Sequence, residues 1–133
     1  MRKRHRIFIA INLPQDIKKN LFLYKDKWQE LPAKWVSQDN LHITLVFLGD
    51  LTDVELGEVC VAAKKAAENR NSFEINLNNI NYGPQDKVPP RMIWASGQKS
   101  KELSLLKNDL QDALSEKINF LADNKSFSPH ATL

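Results

Sequence analysis

At 133 residues, with 42% hydrophobic and 26% charged side chains, the chain has the size and balance of one soluble globular domain and needs no covalent staple. A formal net charge of +3 suits an anionic partner without naming one, and a single cysteine, Cys60, excludes an internal disulfide. The basic start Met1-Arg2-Lys3-Arg4-His5-Arg6 leads into an apolar run that breaks at Asn12 and Pro14. That run is too short for a signal-peptide core or a membrane span, so no membrane partner is expected; the lone cysteine fits a reducing cytoplasm without requiring one, and a cytoplasmic monomer is the expectation.

Arg6 to Leu13 is rich in β-branched residues and reads as an interior strand, with Phe8 in the core. Pro14 suits the first turn of a helix. Ile17, Leu21, Tyr24, Trp28 and Leu31 then form one apolar stripe, predicting a helix over 15–31 that Pro32 ends. Residues 41–48 form a second strand, closed by Gly49-Asp50. Thr52 and Glu55 have capping-box spacing, and the helix behind them carries Leu56, Val59, Cys60, Ala63 and Ala67 on its apolar face. Phe73, Ile75 and Leu77 alternate with polar residues as a half-buried strand. A loop over 83–90 precedes a strand over 91–96, with Trp94 in the core. Leu103, Leu106, Leu110 and Leu114 mark a helix over 100–118, and 127–133 is the last strand.

Two parts of this order match: strand 7–13, helix 15–31, strand 41–48, and strand 91–96, helix 100–118, strand 127–133. Each third element contains His-X-Thr-Leu. From Ile7 to His42 is 35 residues, and from Arg91 to His130 is 39. The shared order, spacing and tetrapeptide point to a duplicated unit and a two-lobed α+β body with a pseudo-twofold axis.

Side chains two apart on a strand share a face. His42 and Thr44 therefore lie together opposite Ile43, Leu45 and Phe47. Ser128, His130 and Thr132 lie together opposite Phe127, Pro129, Ala131 and Leu133. A lone strand histidine is usually structural, but two equivalent His/Thr pairs fit a phosphodiester. Displacement at phosphorus runs roughly in line. One imidazole can take a proton from the attacking water while the other, protonated, gives one to the departing oxygen. Unperturbed imidazole titrates near pH ~6.5, so both forms exist around neutrality. The threonine hydroxyls can hold the non-bridging oxygens. The two histidines have no Cys, Asp or Glu at ligand spacing, and no phosphate- or dinucleotide-binding glycine pattern occurs, so neither a metal nor another cofactor is expected.

The ordered set Phe8-Ile9-Ala10-Ile11-Asn12-Leu13-Pro14, Trp35-Val36, Asn40-Leu41-His42-Ile43-Thr44-Leu45, Phe47-Leu48-Gly49, Pro90-Arg91 with Ile93-Trp94, and Phe127-Ser128-Pro129-His130-Ala131-Thr132-Leu133 runs almost end to end. In it the chain resembles the 2H phosphoesterases, specifically the RNA 2',3'-cyclic phosphodiesterases also called 2'-5' RNA ligases. The resemblance implies a bilobal α+β fold with two antiparallel-type sheets flanked by helices around a central cleft. It implies metal-independent hydrolysis of RNA 2',3'-cyclic phosphate ends to 2'-phosphates, with reversible 2'-5' ligation in some relatives. Its RNA partners would carry a cyclic phosphate or a 2'-5' linkage, as tRNA halves do. By the family pattern His42 is the acid toward the leaving 3' oxygen and His130 the base, although a pseudo-symmetric site runs equally well the other way. Thr44 and Thr132 would bind phosphate. Arg91 is a candidate for the RNA backbone and Trp35 for base stacking. His5 has no partner motif and is expected to be exposed and inert.

Family members usually continue past the second motif, often with an arginine two residues beyond its leucine. The expectation is therefore one 2H phosphoesterase domain over 1–133, cut short just after that motif. Two other readings compete: a non-catalytic RNA-end binder, and a phosphoesterase of small nucleotide cyclic phosphates.

Overall fold

Alternation of β-branched and polar residues at both ends of the chain, with two long amphipathic stretches between, produces five strands and four α-helices among the residues that a computed structural model describes, 3–31, 34–83, 92–120 and 127–133. In chain order these are β1 (Arg4–Asn12), α1 (Gln15–Phe22), α2 (Tyr24–Lys27), a 3₁₀ turn (Gln38–Asn40), β2 (His42–Thr52), α3 (Asp53–Glu68), β3 (Asn79–Gly83), β4 (Met92–Ser96), α4 (Lys101–Lys117) and β5 (His130–Thr132). The strands hydrogen-bond in the order β1-β2-β5-β4-β3. The α+β class is as expected, but the strands join in one sheet where two were expected. The pairing that joins them, β2 with β5, is antiparallel through Ile43 and Ala131.

The chain divides into two compact units. One comprises 1–10, 44–75 and 99–127; the other comprises 11–43, 76–98 and 128–133. In the first unit α3 packs against α4. Helix α3 buries Val59, Ala62 and Ala66, and α4 buries Leu103, Leu110 and Leu114. The small alanines let the two backbones approach closely. The buried face of α3 is thus turned by one residue, about 100° in a helix, from the expected stripe, and Cys60 and Ala67 are exposed. The capping box forms as read: Thr52 Oγ1 accepts from the Glu55 amide, and the Thr52 amide donates to Glu55 Oε1. These bonds hold the Glu55 carboxyl below its ordinary pKa, the backbone amide of Thr52 contributing most. Ser100 caps α4 by accepting from the Leu103 amide. Arg70 Nε donates to Asp109 Oδ2 at 2.7 Å, which raises the guanidinium pKa.

Several other expectations shift. Phe8 is 45% exposed, not core, and meets Phe47, itself 70% exposed, at 5.9 Å between ring centroids. β2 does not close at Gly49: that residue takes φ +78°, which only glycine adopts without strain, and the strand continues to Thr52. Beyond Val46 the inward face of β2 changes, which is why Phe47 points outward despite the alternation. His5, expected to be exposed, is half-buried, and its Nε2 lies 2.7 Å from Asp53 Oδ1.

In the second unit the expected helix over 15–31 is two short helices, and its buried face is Lys18 and Leu21 rather than a stripe through the 39%-exposed Ile17. The expected strand at 73–77 lies later, at Asn79–Gly83, where pairing with β4 supplies its hydrogen bonds. Residues 127–129 precede the last strand rather than belonging to it.

Candidate active site

Both histidines belong to the second unit. Three strand registers place their neighbours. β5 faces β4 with Trp94 opposite Thr132, Ala95 opposite Ala131 and Ser96 opposite His130. β4 faces β3 with Asn81 opposite Trp94, Ile80 opposite Ala95 and Asn79 opposite Ser96. β2 faces β5 with Ile43 opposite Ala131, and continuing that register by one residue sets His42 against Thr132. Residues directly opposite share a face, with Cβ atoms ~4.5–5.5 Å apart.

One face of these strands therefore carries Ile43, Ala131, Ala95 and Ile80. The first three are at most 1% exposed, and this buried row fixes the register, because a one-residue slip would turn every apolar side chain outward. The other face carries His42, Thr132, Trp94 and Asn81 in one row, with His130, Ser96 and Asn79 in the next. The two rows are linked by Asn81 Nδ2, which donates to Ser96 Oγ at 3.3 Å. His42, His130 and Thr132 are thus brought together on one half-buried face. Thr44 follows His42 by two residues on the same strand, as the first residue of the other unit.

The two imidazoles are held alike. His42 Nδ1 donates to the carbonyl of Asn40 at 2.5 Å, and His130 Nδ1 to the carbonyl of Ser128 at 3.4 Å. A carbonyl oxygen has no hydrogen to give, so in both rings Nδ1 carries the proton of the bond. Proton exchange with a substrate then runs through Nε2 in both. The Asn40 carbonyl is presented by the 3₁₀ turn, which closes through Asn40 N donating to Ser37 O at 3.0 Å. Lys18, 3% exposed on α1, ties that turn down by donating to the Asp39 carbonyl at 3.0 Å. On the other side Pro129, fully buried, accepts from the Gly97 amide at 3.0 Å, and Leu133 N donates to Ile93 O at 2.8 Å. His42 is thereby held from the residues before it, and His130 from residues on both sides.

Sequence reasoning missed two members of this environment. Trp94, read as core, is half-buried on the histidine face and stacks on His130 with centroids 4.0 Å apart and planes at 22°. Strand alternation from Ile93 and Ala95 would have placed it there. Lys18 gave no signal, because an inward lysine on an amphipathic helix is atypical. Trp35 is half-buried in the segment before the 3₁₀ turn, whereas Arg91 lies outside the described residues. A hollow of about 400 Å³ lined by Trp28, Leu31, Ile80, Asn81, Tyr82 and Ile93 contains neither histidine. Among the described residues no three His, Cys, Asp or Glu side chains gather as metal ligands would, and no helix is long and apolar enough to cross a membrane.

The family model described as "LigT like Phosphoesterase" matches residues 11–94. The RNA 2',3'-cyclic phosphodiesterase of Geobacillus stearothermophilus is 29% identical over 98% of this chain and 42% of that protein. The protein of the same name from Thermotoga maritima is 29% identical over 96% of this chain and 68% of that protein. The chain therefore spans less than half of the first relative. The crystal structure of E. coli LigT complexed with 3'-AMP aligns at a TM-score of 0.78 and 25% identity, covering 98% of this chain and 72% of that one.

Proposed function

The chain belongs to the LigT-like phosphoesterase family, and from that premise we propose that it hydrolyses RNA 2',3'-cyclic phosphate ends to 2'-phosphates by two-histidine acid–base catalysis. The observation that carries the reading is the matched pair of imidazoles, each donating from Nδ1 to the carbonyl two residues upstream and so turned to exchange protons through Nε2. Relatives named RNA 2',3'-cyclic phosphodiesterase supply the substrate class.

In this mechanism His130 Nε2 takes a proton from a water that attacks phosphorus. The P–O3' bond breaks, and the departing 3' oxygen takes a proton from His42 Nε2. The product is a 2'-phosphate with a free 3' hydroxyl. The histidines end with their protonation states exchanged, and solvent resets them. Thr132, beside His42 in register, and Thr44 donate hydroxyl hydrogens to the non-bridging oxygens, where negative charge accumulates. With the 5' hydroxyl of a second RNA attacking in place of water, the same groups form a 2'-5' bond as P–O3' breaks, and the reverse reaction, attack by the freed 3' hydroxyl, cleaves it. The chemistry draws only on side chains of this chain. RNA is the partner, with Arg91 and Trp35 as contacts for its backbone and bases, and the protein acts as a cytoplasmic monomer.

The test is turnover of a short RNA ending in a 2',3'-cyclic phosphate, with EDTA present and the product isomer identified. Metal-independent release of a 2'-phosphate is expected. A 3'-phosphate product, or turnover abolished by EDTA, overturns the mechanism.

A further inference from the structure

We propose that Trp94 is a positioning residue for His130, its indole serving as the platform against which the imidazole is set for proton transfer. The inference rests on the acid–base reading of His130.

Four observations carry it. The rings of Trp94 and His130 stack at 4.0 Å with an interplanar angle of 22°. This contact joins two strands, since Trp94 is on β4 and His130 on β5, with Ser96 rather than Trp94 directly opposite the histidine. The indole therefore reaches diagonally across the ladder to meet the imidazole, which a residue merely filling its own place on the sheet would not need to do.

The indole also has a prepared seat. A Cβ at Gly83 would come within 2.2, 2.3 and 2.7 Å of three Trp94 ring atoms, so the ring lies flat over a glycine that has no other atom to offer. Any larger residue at 83 would push the indole off that seat.

Third, the indole N–H is buried and finds no hydrogen-bond partner among the described residues. A buried donor left unpaired disfavours the folded state, and phenylalanine or leucine would fill space there without that penalty. Among the described residues nothing offsets that penalty, as expected where ring area and placement serve the site more than stability.

Fourth, the polar bond that orients His130 is the longer of the two, 3.4 Å against 2.5 Å for His42. The stack on Trp94 compensates: the imidazole that is less tightly held by its carbonyl is the one backed by an aromatic plane. His130 thus has a ring platform in addition to its bond to the Ser128 carbonyl.

The experiment compares Trp94→Leu and Trp94→Phe with wild type and with His130→Ala, measuring kcat and KM on a cyclic-phosphate RNA. NMR follows the His130 ring protons in the same samples. Misplacing a reacting group by ~1 Å costs ~10²-fold, so Trp94→Leu should lower kcat by about 10- to 100-fold and change KM by less than about 2-fold. The His130 ring protons, shifted upfield by the indole in wild type, should move downfield in that variant. Trp94→Phe, which restores a ring without the indole N–H, should recover most of kcat.

Wild-type kcat in Trp94→Leu, alongside an inactive His130→Ala, overturns the inference and leaves the two-histidine reading standing. A rise in KM alone also overturns it, because it makes Trp94 a substrate contact. An inactive wild-type protein overturns the hydrolase reading and this inference with it.

Discussion

Gly97→Ala should be among the most damaging single-methyl additions in this chain, and the geometry says by how much. A Cβ at Gly97 would lie 1.9 Å from the Asn76 carbonyl oxygen and 3.0 Å from its carbon. The obstacle is backbone, so no rotamer change relieves it. Reaching even 3.0 Å from the oxygen takes about 1.1 Å of main-chain displacement. Overpacking of this kind costs about 1–3 kcal/mol, which for a domain of this size lowers the melting temperature by roughly 5–15 °C. The displacement also reaches the site, because the Gly97 amide donates to Pro129 at 3.0 Å and Pro129 adjoins His130. A shift near 1 Å at a reacting group costs ~10²-fold in rate. The same substitution at Gly57 is the control. That residue is exposed in α3 with nothing within 4 Å of its Cβ position, so alanine should stabilise by about 0.5–1 kcal/mol through helix propensity. Thermal melts followed by circular dichroism, paired with turnover, decide the matter. Gly97→Ala melting no lower than wild type, with wild-type kcat, would refute the reasoning.

Leu114, fully buried on α4, should cost about 2–5 kcal/mol when changed to alanine, read as a lower urea midpoint with the slope unchanged. The depressed Glu55 carboxyl should make stability pH-dependent. A lowered folded-state pKa contributes stability that is present above the ordinary glutamate value of about 4.3 and lost as pH falls through the folded value. Glu55→Gln should therefore flatten the acid limb of the melting-temperature profile below that pH and leave turnover unchanged. A profile identical to wild type there would show that the capping box does not carry the effect.

Elements with strong local signals were legible in the chain. The capping box at Thr52, the leucine stripe of α4 and the alternation around His42 and His130 depend on near neighbours, and the structure keeps them. What was not legible depends on partners distant in sequence. The strand at Asn79–Gly83 exists where β4 can pair with it, not where Phe73, Ile75 and Leu77 alternate. The buried face of α3 is set by α4, which turned Cys60 outward. At the site, the histidines and threonines announced themselves by repetition. Trp94 did not, because an aromatic residue in an apolar strand reads as core until the register shows which face it occupies. Lys18 was invisible for the opposite reason: its burial is supported by the Asp39 carbonyl, which only the folded 3₁₀ turn presents.

The central claim is that His42 and His130 act as one acid–base unit, and a double-mutant comparison tests it most directly. Turnover of a cyclic-phosphate RNA would be measured for wild type, His42→Ala, His130→Ala and the double variant, with folding checked by melting temperature. Each single variant should lose ~10²–10⁴ in kcat, and the double should lose little more than the worse single, because removing either half disables the unit. A single variant that keeps the wild-type rate, or losses that simply multiply in the double, would contradict the account.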